Sequence, residues 1–142
     1  MIQDNLKELL ATTYSYKIKA QNFHWNVEAT TFGQDHELFG EIYSDSEEAI
    51  DKIAEYIRTL DEYAPGSFKR FSELSKIEDQ LKIPKRDLMY KELLKDTETL
   101  IEMLKDAFDV ATEEREQGIA NFLADRLSSH GKYRWQLNAT LK

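Results

Sequence analysis

Apolar side chains recur every three or four residues along four long stretches of this chain, and no stretch alternates convincingly at the two-residue period of a strand. Leu6, Leu9, Leu10, Thr13, Tyr16, Ala20 and Phe23 fall on one face and predict a helix from about residue 3 to 26. Residues 26–33 read as a loop. Leu38, Ile42, Ala49, Ile50, Ile53, Ile57 and Leu60 predict a second helix that stops before Ala64-Pro65-Gly66.

Phe68, Phe71 and Leu74 stand at three-residue steps and predict a short helix, with Ser67 placed to cap it. Pro84 suits the entrance of a further helix, whose stripe is Met89, Leu93, Thr97, Leu100, Ile101, Leu104, Phe108 and Ala111. Gly118 is expected to break or bend it. Ile119, Phe122, Leu123, Leu127, His130, Arg134, Leu137 and Leu141 then mark the last long helix. Four long amphipathic helices with a longer central connection describe an all-α four-helix bundle of two hairpins, one domain over residues 1–142. Gly40 and Gly131 fall inside these helices, where glycine costs about 1 kcal/mol relative to alanine. Close approach of another backbone is one reason to accept that cost; a tolerated surface glycine is the other.

Composition narrows the class. The chain has no cysteine, so disulfide frameworks and thiolate metal sites are excluded. Its formal charge is −8, from 27 acidic and 19 basic residues, which disfavours nucleic acid or an anionic membrane as the default partner. The first residues resemble neither a signal nor a transit peptide, and no stretch is apolar enough to span a bilayer, so a soluble, cytoplasmic protein is expected.

The candidate chemistry is a set of four side chains. His24, His36, Asp51 and Glu55 stand at separations of twelve, fifteen and four residues. At about 100° and 1.5 Å per residue, Asp51 lies about 60° around the second helix from His36 and Glu55 about 100° around, so the three share one stripe. The same arithmetic puts His36 about 22 Å from Asp51 along the axis, whereas metal–ligand bonds are about 2 Å. One straight helix cannot bring both to one ion. Two copies crossing antiparallel about a two-fold axis bring His36 of one chain to Asp51 and Glu55 of the other, making two equivalent sites. The spacing predicts a dimer as well as a metal.

Mixed carboxylate and imidazole donors suit Fe(II), Mn(II) or Zn(II). The competing readings are hydrogen-bonded core or interface histidines and a solvated acidic edge. Against the latter, Asp51 and Glu55 neighbour Ile50, Ile53, Ala54 and Ile57, and carboxylates buried there need a cation or donors. A site at the centre of a single bundle would use Glu-x-x-His steps, but the residues three before the histidines are Gln21, Gly33 and Leu127.

The segments Asn22-Phe23-His24-Trp25-Asn26-Val27, His36-Glu37-Leu38-Phe39 and Ala49-Ile50-Asp51-Lys52-Ile53-Ala54-Glu55 resemble the Dps family, the mini-ferritins. The resemblance runs through nearly the whole chain, including the short helix of the crossover and Trp135. It implies an all-α, ferritin-like four-helix bundle with a short helix between the second and third long helices. It also implies hollow shells of twelve subunits built from two-fold dimers. Such shells oxidise Fe(II) at dimer interfaces with hydrogen peroxide, or often more slowly with oxygen, and store ferric mineral, suppressing hydroxyl radical formation. By that resemblance His24 and His36 of one subunit, with Asp51 and Glu55 of its two-fold mate, are the iron ligands and the catalytic ferroxidase set.

Further roles follow only from the resemblance. Trp25, beside a ligand, is placed to intercept oxidising equivalents, with plain interface packing as the alternative. Glu37 and Glu41 resemble cavity-facing positions where mineral starts, or they form an ordinary exposed acidic face. Asp125 is the clearest acidic candidate for a three-fold pore, because Asn121 and Gly131 stand where the family commonly places further acids. The lysine-rich tail often associated with DNA binding is missing, so weak or no DNA binding is expected, although Lys69, Arg70, Lys82, Lys85 and Arg86 offer local positive spots. The alternatives to a ferroxidase are a shell binding a non-redox ion such as zinc and a DNA-protecting structural shell. If imidazoles bind the metal, occupancy should fall as pH drops through the range near 6.5, where free imidazole gains a proton.

Overall fold

The computed structural model describes residues 1–142 and contains five helices and no strand: α1 (Ile2–Asn26), α2 (Phe32–Thr59), α3 (Phe68–Leu74), α4 (Arg86–Glu113) and α5 (Gln117–Leu141). Helices α1 and α2 form one hairpin, α4 and α5 the other, and α1 packs on α4 to close the bundle. The predicted stripes are its core. Leu6, Leu9, Leu10, Tyr16 and Phe23 of α1 are buried with Phe39, Ile42, Ile53 and Ile57 of α2, Leu93, Leu100 and Leu104 of α4, and Leu123 and Leu137 of α5. No helix is long and apolar enough to cross a membrane.

The break between the last two helices does not fall at Gly118. The α4–α5 reversal lies at residues 114–116, ahead of Gly118, which falls inside the first turn of α5. There Arg115 takes a left-handed φ of 62°, and the Glu116 N–H returns to Ala111 O at 2.8 Å and the Arg115 N–H to Thr112 O at 3.1 Å. Asp61 (φ 64°) closes α2 the same way, with Glu62 N–H to Ile57 O and Asp61 N–H to Arg58 O. Both are paired-bond helix terminators usually built on glycine, and here the orphan carbonyls are satisfied without one. Helix α2 begins at Phe32, slightly inside the expected loop, and α4 begins at Arg86, two residues after Pro84.

The short α3 is where the aromatic spacing put it, and Ser67 Oγ accepts from the Arg70 N–H at 3.3 Å as its cap. It lies on α1 through Phe71 stacked on Tyr14, ring centroids 4.6 Å apart. The following strand-free link is tied down by the Lys76 N–H donating to Thr12 Oγ1 at 3.0 Å.

Candidate metal centre

His24 sits in the last turn of α1 and His36 in the second turn of α2, and the five-residue link between these helices folds the two rings together. The rings stack, with centroids 3.8 Å apart and planes inclined by 14°. Each Nδ1 meets the other residue's backbone oxygen: His24 Nδ1 to His36 O at 2.6 Å, His36 Nδ1 to His24 O at 2.7 Å. A carbonyl only accepts, so both Nδ1 atoms carry the hydrogen and both Nε2 atoms keep a lone pair. The His24 carbonyl is one of the four at the end of α1 without a helical partner, so the clasp also satisfies an orphan acceptor. Phe32 stacks on the far ring at 5.1 Å, and Tyr43 lies 5.2 Å from His24.

This geometry constrains what the rings can bind. An imidazole lone pair lies in the ring plane, and two planes inclined by 14° converge far beyond a metal–nitrogen bond of about 2 Å. One ion cannot take both nitrogens in their preferred directions, whereas two neighbouring ions can take one each.

Asp51 and Glu55 stand exposed on the C-terminal half of α2, not among the apolar residues adjoining them in sequence. Helix α2 is unbroken from Phe32 to Thr59, so their distance from His36 follows the helix rise. Within one chain, no three or more His, Asp or Glu side chains are grouped to hold a metal ion. Glu55 and Asp125 share an open cleft of about 400 Å³ between α2 and α5, with Lys52, Thr59 and Asn121. Glu37 and Glu41 line a second groove, beneath Trp135. Trp25 projects into solvent, 64% exposed, near Phe32 (46%) and Ile83 (57%).

Two buried polar networks that sequence reasoning missed hold this frame. Asp35, beside His36 and fully buried, accepts from Arg86 Nε and Nη2, from Tyr90 OH at 2.6 Å and from Thr31 Oγ1 at 2.7 Å. Burial alone would raise its pKa, but these donors outweigh it and hold the carboxyl below the usual value. Asp45 of α2 likewise accepts two bonds from Arg126 of α5 and one from Tyr133. Arg126 Nη2 also lies 3.2 Å from His130 Nε2. Burial and the Arg126 charge, opposed by Asp45, push His130 down to about 3, so it is neutral. The bundle interior is thus occupied by a protein cation, which agrees with the missing Glu-x-x-His steps. Of the basic spots, Arg86 is committed to Asp35 and Asp87, and Arg70 to Glu73.

The Ferritin-like domain family matches residues 3–142. An all-α bundle with one long crossover carrying a short helix is a ferritin-like fold. The DNA protection during starvation protein of Helicobacter pylori is 29% identical over 138 residues, covering 96% of this chain and 95% of that protein. The crystal structure of antigen TpF1 from Treponema pallidum is 30% identical with a TM-score of 0.96, covering 99% of this chain and 91% of that one. The Dps protein from Vibrio cholerae O1, described as a member of a broad superfamily of ferritin-like diiron-carboxylate proteins, is 27% identical with a TM-score of 0.95 and covers 99% and 89%. The chain belongs to the Dps family of ferritin-like proteins.

Proposed function

We propose that this protein is a ferroxidase and iron-storing shell subunit that oxidises Fe(II) with hydrogen peroxide or oxygen and retains the ferric product as mineral. The reaction site lies between two subunits: His24 and His36 of one, Asp51 and Glu55 of its two-fold mate. The observation that carries the reading is the reciprocal clasp, which occupies both Nδ1 atoms and leaves both Nε2 atoms outside it, in a chain that groups no acid with the two rings as a metal-holding set. Stacked rings favour two ions, one per imidazole, and the mate's carboxylates complete both.

With peroxide, two Fe(II) each release one electron and the peroxide O–O bond takes both; with two protons the products are two Fe(III) and two waters. The chain's part is to hold the ions as a pair, so that a two-electron acceptor is reduced without releasing a one-electron radical. Asp51 and Glu55 supply anionic oxygens that favour the ferric product. Trp25 stands at the rim to intercept stray oxidising equivalents, and the Glu37 and Glu41 groove offers mineral its first carboxylates. We assign Asp125 to iron passage near the Glu55 cleft. The assembly is a dodecamer of two-fold dimers in the cytoplasm, protecting the cell against oxidative damage with little direct affinity for DNA.

The test is oxidation of Fe(II) by peroxide in the native protein and in His36→Ala combined with Asp51→Ala. The rate is expected to fall to near the protein-free rate. An unchanged rate rejects the enzymatic reading and leaves a non-redox shell, and saturable plasmid retention at about 150 mM salt would favour the DNA-protecting alternative.

A further inference from the structure

We infer that Gly40 is a positioning residue for the His24 imidazole, its bare α-carbon leaving the space that this ring fills while Nδ1 reaches the His36 carbonyl. This rests on the proposed function for its chemical meaning, and on geometry alone for its existence. A Cβ built at Gly40 would stand 2.9 Å from both Cε1 and Nδ1 of His24, well inside the about 3.5–4.0 Å of an ordinary contact. The other four glycines have nothing within 4 Å of a built Cβ, and no glycine in the chain has a positive φ. Close approach of a side chain, rather than of another backbone or a merely tolerated surface glycine, is what Gly40 accommodates.

The ring has little freedom to yield. The His36 ring stacks on it at 3.8 Å and Tyr43 lies 5.2 Å away. The His36 carbonyl and Gly40 occupy successive turns of one line of α2, because residues four apart lie nearly above one another. A ring displaced from position 40 is therefore displaced from the carbonyl that fixes its tautomer. Without that acceptor the hydrogen is free to move to Nε2, and an imidazole protonated there has no lone pair to offer a metal at that atom. The small residue acts on the candidate ligand without touching the ion.

The experiment is magic-angle-spinning nitrogen-15 NMR of the assembled, metal-free protein labelled at histidine, above the usual imidazole titration range. There are only three histidines. In the wild type all three should carry hydrogen on Nδ1: His24 and His36 through the clasp, and His130 because its Nε2 accepts from Arg126. Gly40→Ala should convert one of the three to the Nε2–H form and weaken zinc binding by about ten- to a hundredfold, while Gly131→Ala changes neither. Placed on a His24→Ala background, Gly40→Ala should cause no loss of thermal stability, since alanine suits a helix and the obstructing ring is gone. Three unchanged Nδ1–H signals in folded Gly40→Ala overturn the proposal, as does an Nε2–H signal in the wild type. A wild type that binds no zinc, combined with the tautomer change in Gly40→Ala, upholds the positioning role and removes the metal reading.

Discussion

Arg86 reaches back across 51 residues to Asp35, its Nε and Nη2 each 3.1 Å from one of the two carboxylate oxygens. The pair joins the first residue of α4 to the first turn of α2, one residue before His36. Asp35 is fully buried, so Arg86→Met leaves a desolvated carboxylate with only Tyr90 and Thr31 as donors. We expect a loss of about 3 kcal/mol in urea unfolding, the scale of a buried pair broken from one side. The pH dependence has a definite sign. Asp35 is held below its ordinary 3.8 in the folded state, so its stabilisation is complete above 3.8 and is lost as pH falls through 3.8 toward the folded value. Arg86→Met should therefore show a shallower acid limb than the wild type.

Asp96 behaves in the opposite sense. It meets Lys19 at 2.8 Å in a nearly buried ion pair whose approach is not aligned as a hydrogen bond. Burial raises the Asp96 pKa above 3.8, with Lys19 opposing. A raised folded value means that the native state binds the proton more readily, so this group adds stability as pH falls through the folded value toward 3.8. Asp96→Asn, which is neutral at every pH and so no longer gains from protonation, should make the acid limb of the unfolding profile steeper. Parallel acid limbs in the two proteins would contradict the burial argument.

The sequence made the helices legible because their apolar stripes are long and regular, and it made the crossover helix legible because Phe68, Phe71 and Leu74 are spaced for one. The reversals near Asp61 and Arg115 were not legible, since both adopt a left-handed φ that single-residue preference assigns to glycine. At the candidate site, the separations of His24, His36, Asp51 and Glu55 excluded one ion on one helix. They could not disclose that the two rings stack, because stacking depends on the path of residues 27–31. Asp35 was invisible for a related reason. An acid beside the start of a helix reads as an ordinary dipole partner, and nothing local marks Arg86 as the residue it binds.

Trp25 separates two roles by substitution. It stands with Phe32 and Ile83 as a cluster of large exposed apolar side chains beside the clasp, a pattern that suits an interface. Trp25→Ala should weaken dimer association by about 2 kcal/mol, read by light scattering on dilution. Trp25→Phe keeps most of the buried area but removes the indole. If Trp25 intercepts oxidising equivalents, this second variant assembles normally and yields more hydroxyl-radical adduct in spin trapping with Fe(II) and peroxide. Adduct levels equal to wild type would leave packing as its whole contribution.

Sharing of the site between subunits can be read from mixtures. One variant lacks both imidazoles (His24→Ala with His36→Ala) and the other both acids (Asp51→Ala with Glu55→Ala); each alone should be inactive. In a mixed dimer, the imidazoles of the acid-less chain face the carboxylates of the imidazole-less chain, so one of the two sites is intact and the other lacks everything. Random pairing makes about half of the dimers mixed, and about one quarter of wild-type ferroxidase activity should return after co-refolding. A site built within a single subunit gives a different result, because every chain in the mixture is then defective whatever its neighbour. Activity that stays at the level of the separate variants, in mixtures shown by mass spectrometry to have exchanged subunits, would place the chemistry inside one chain and reject the two-fold arrangement.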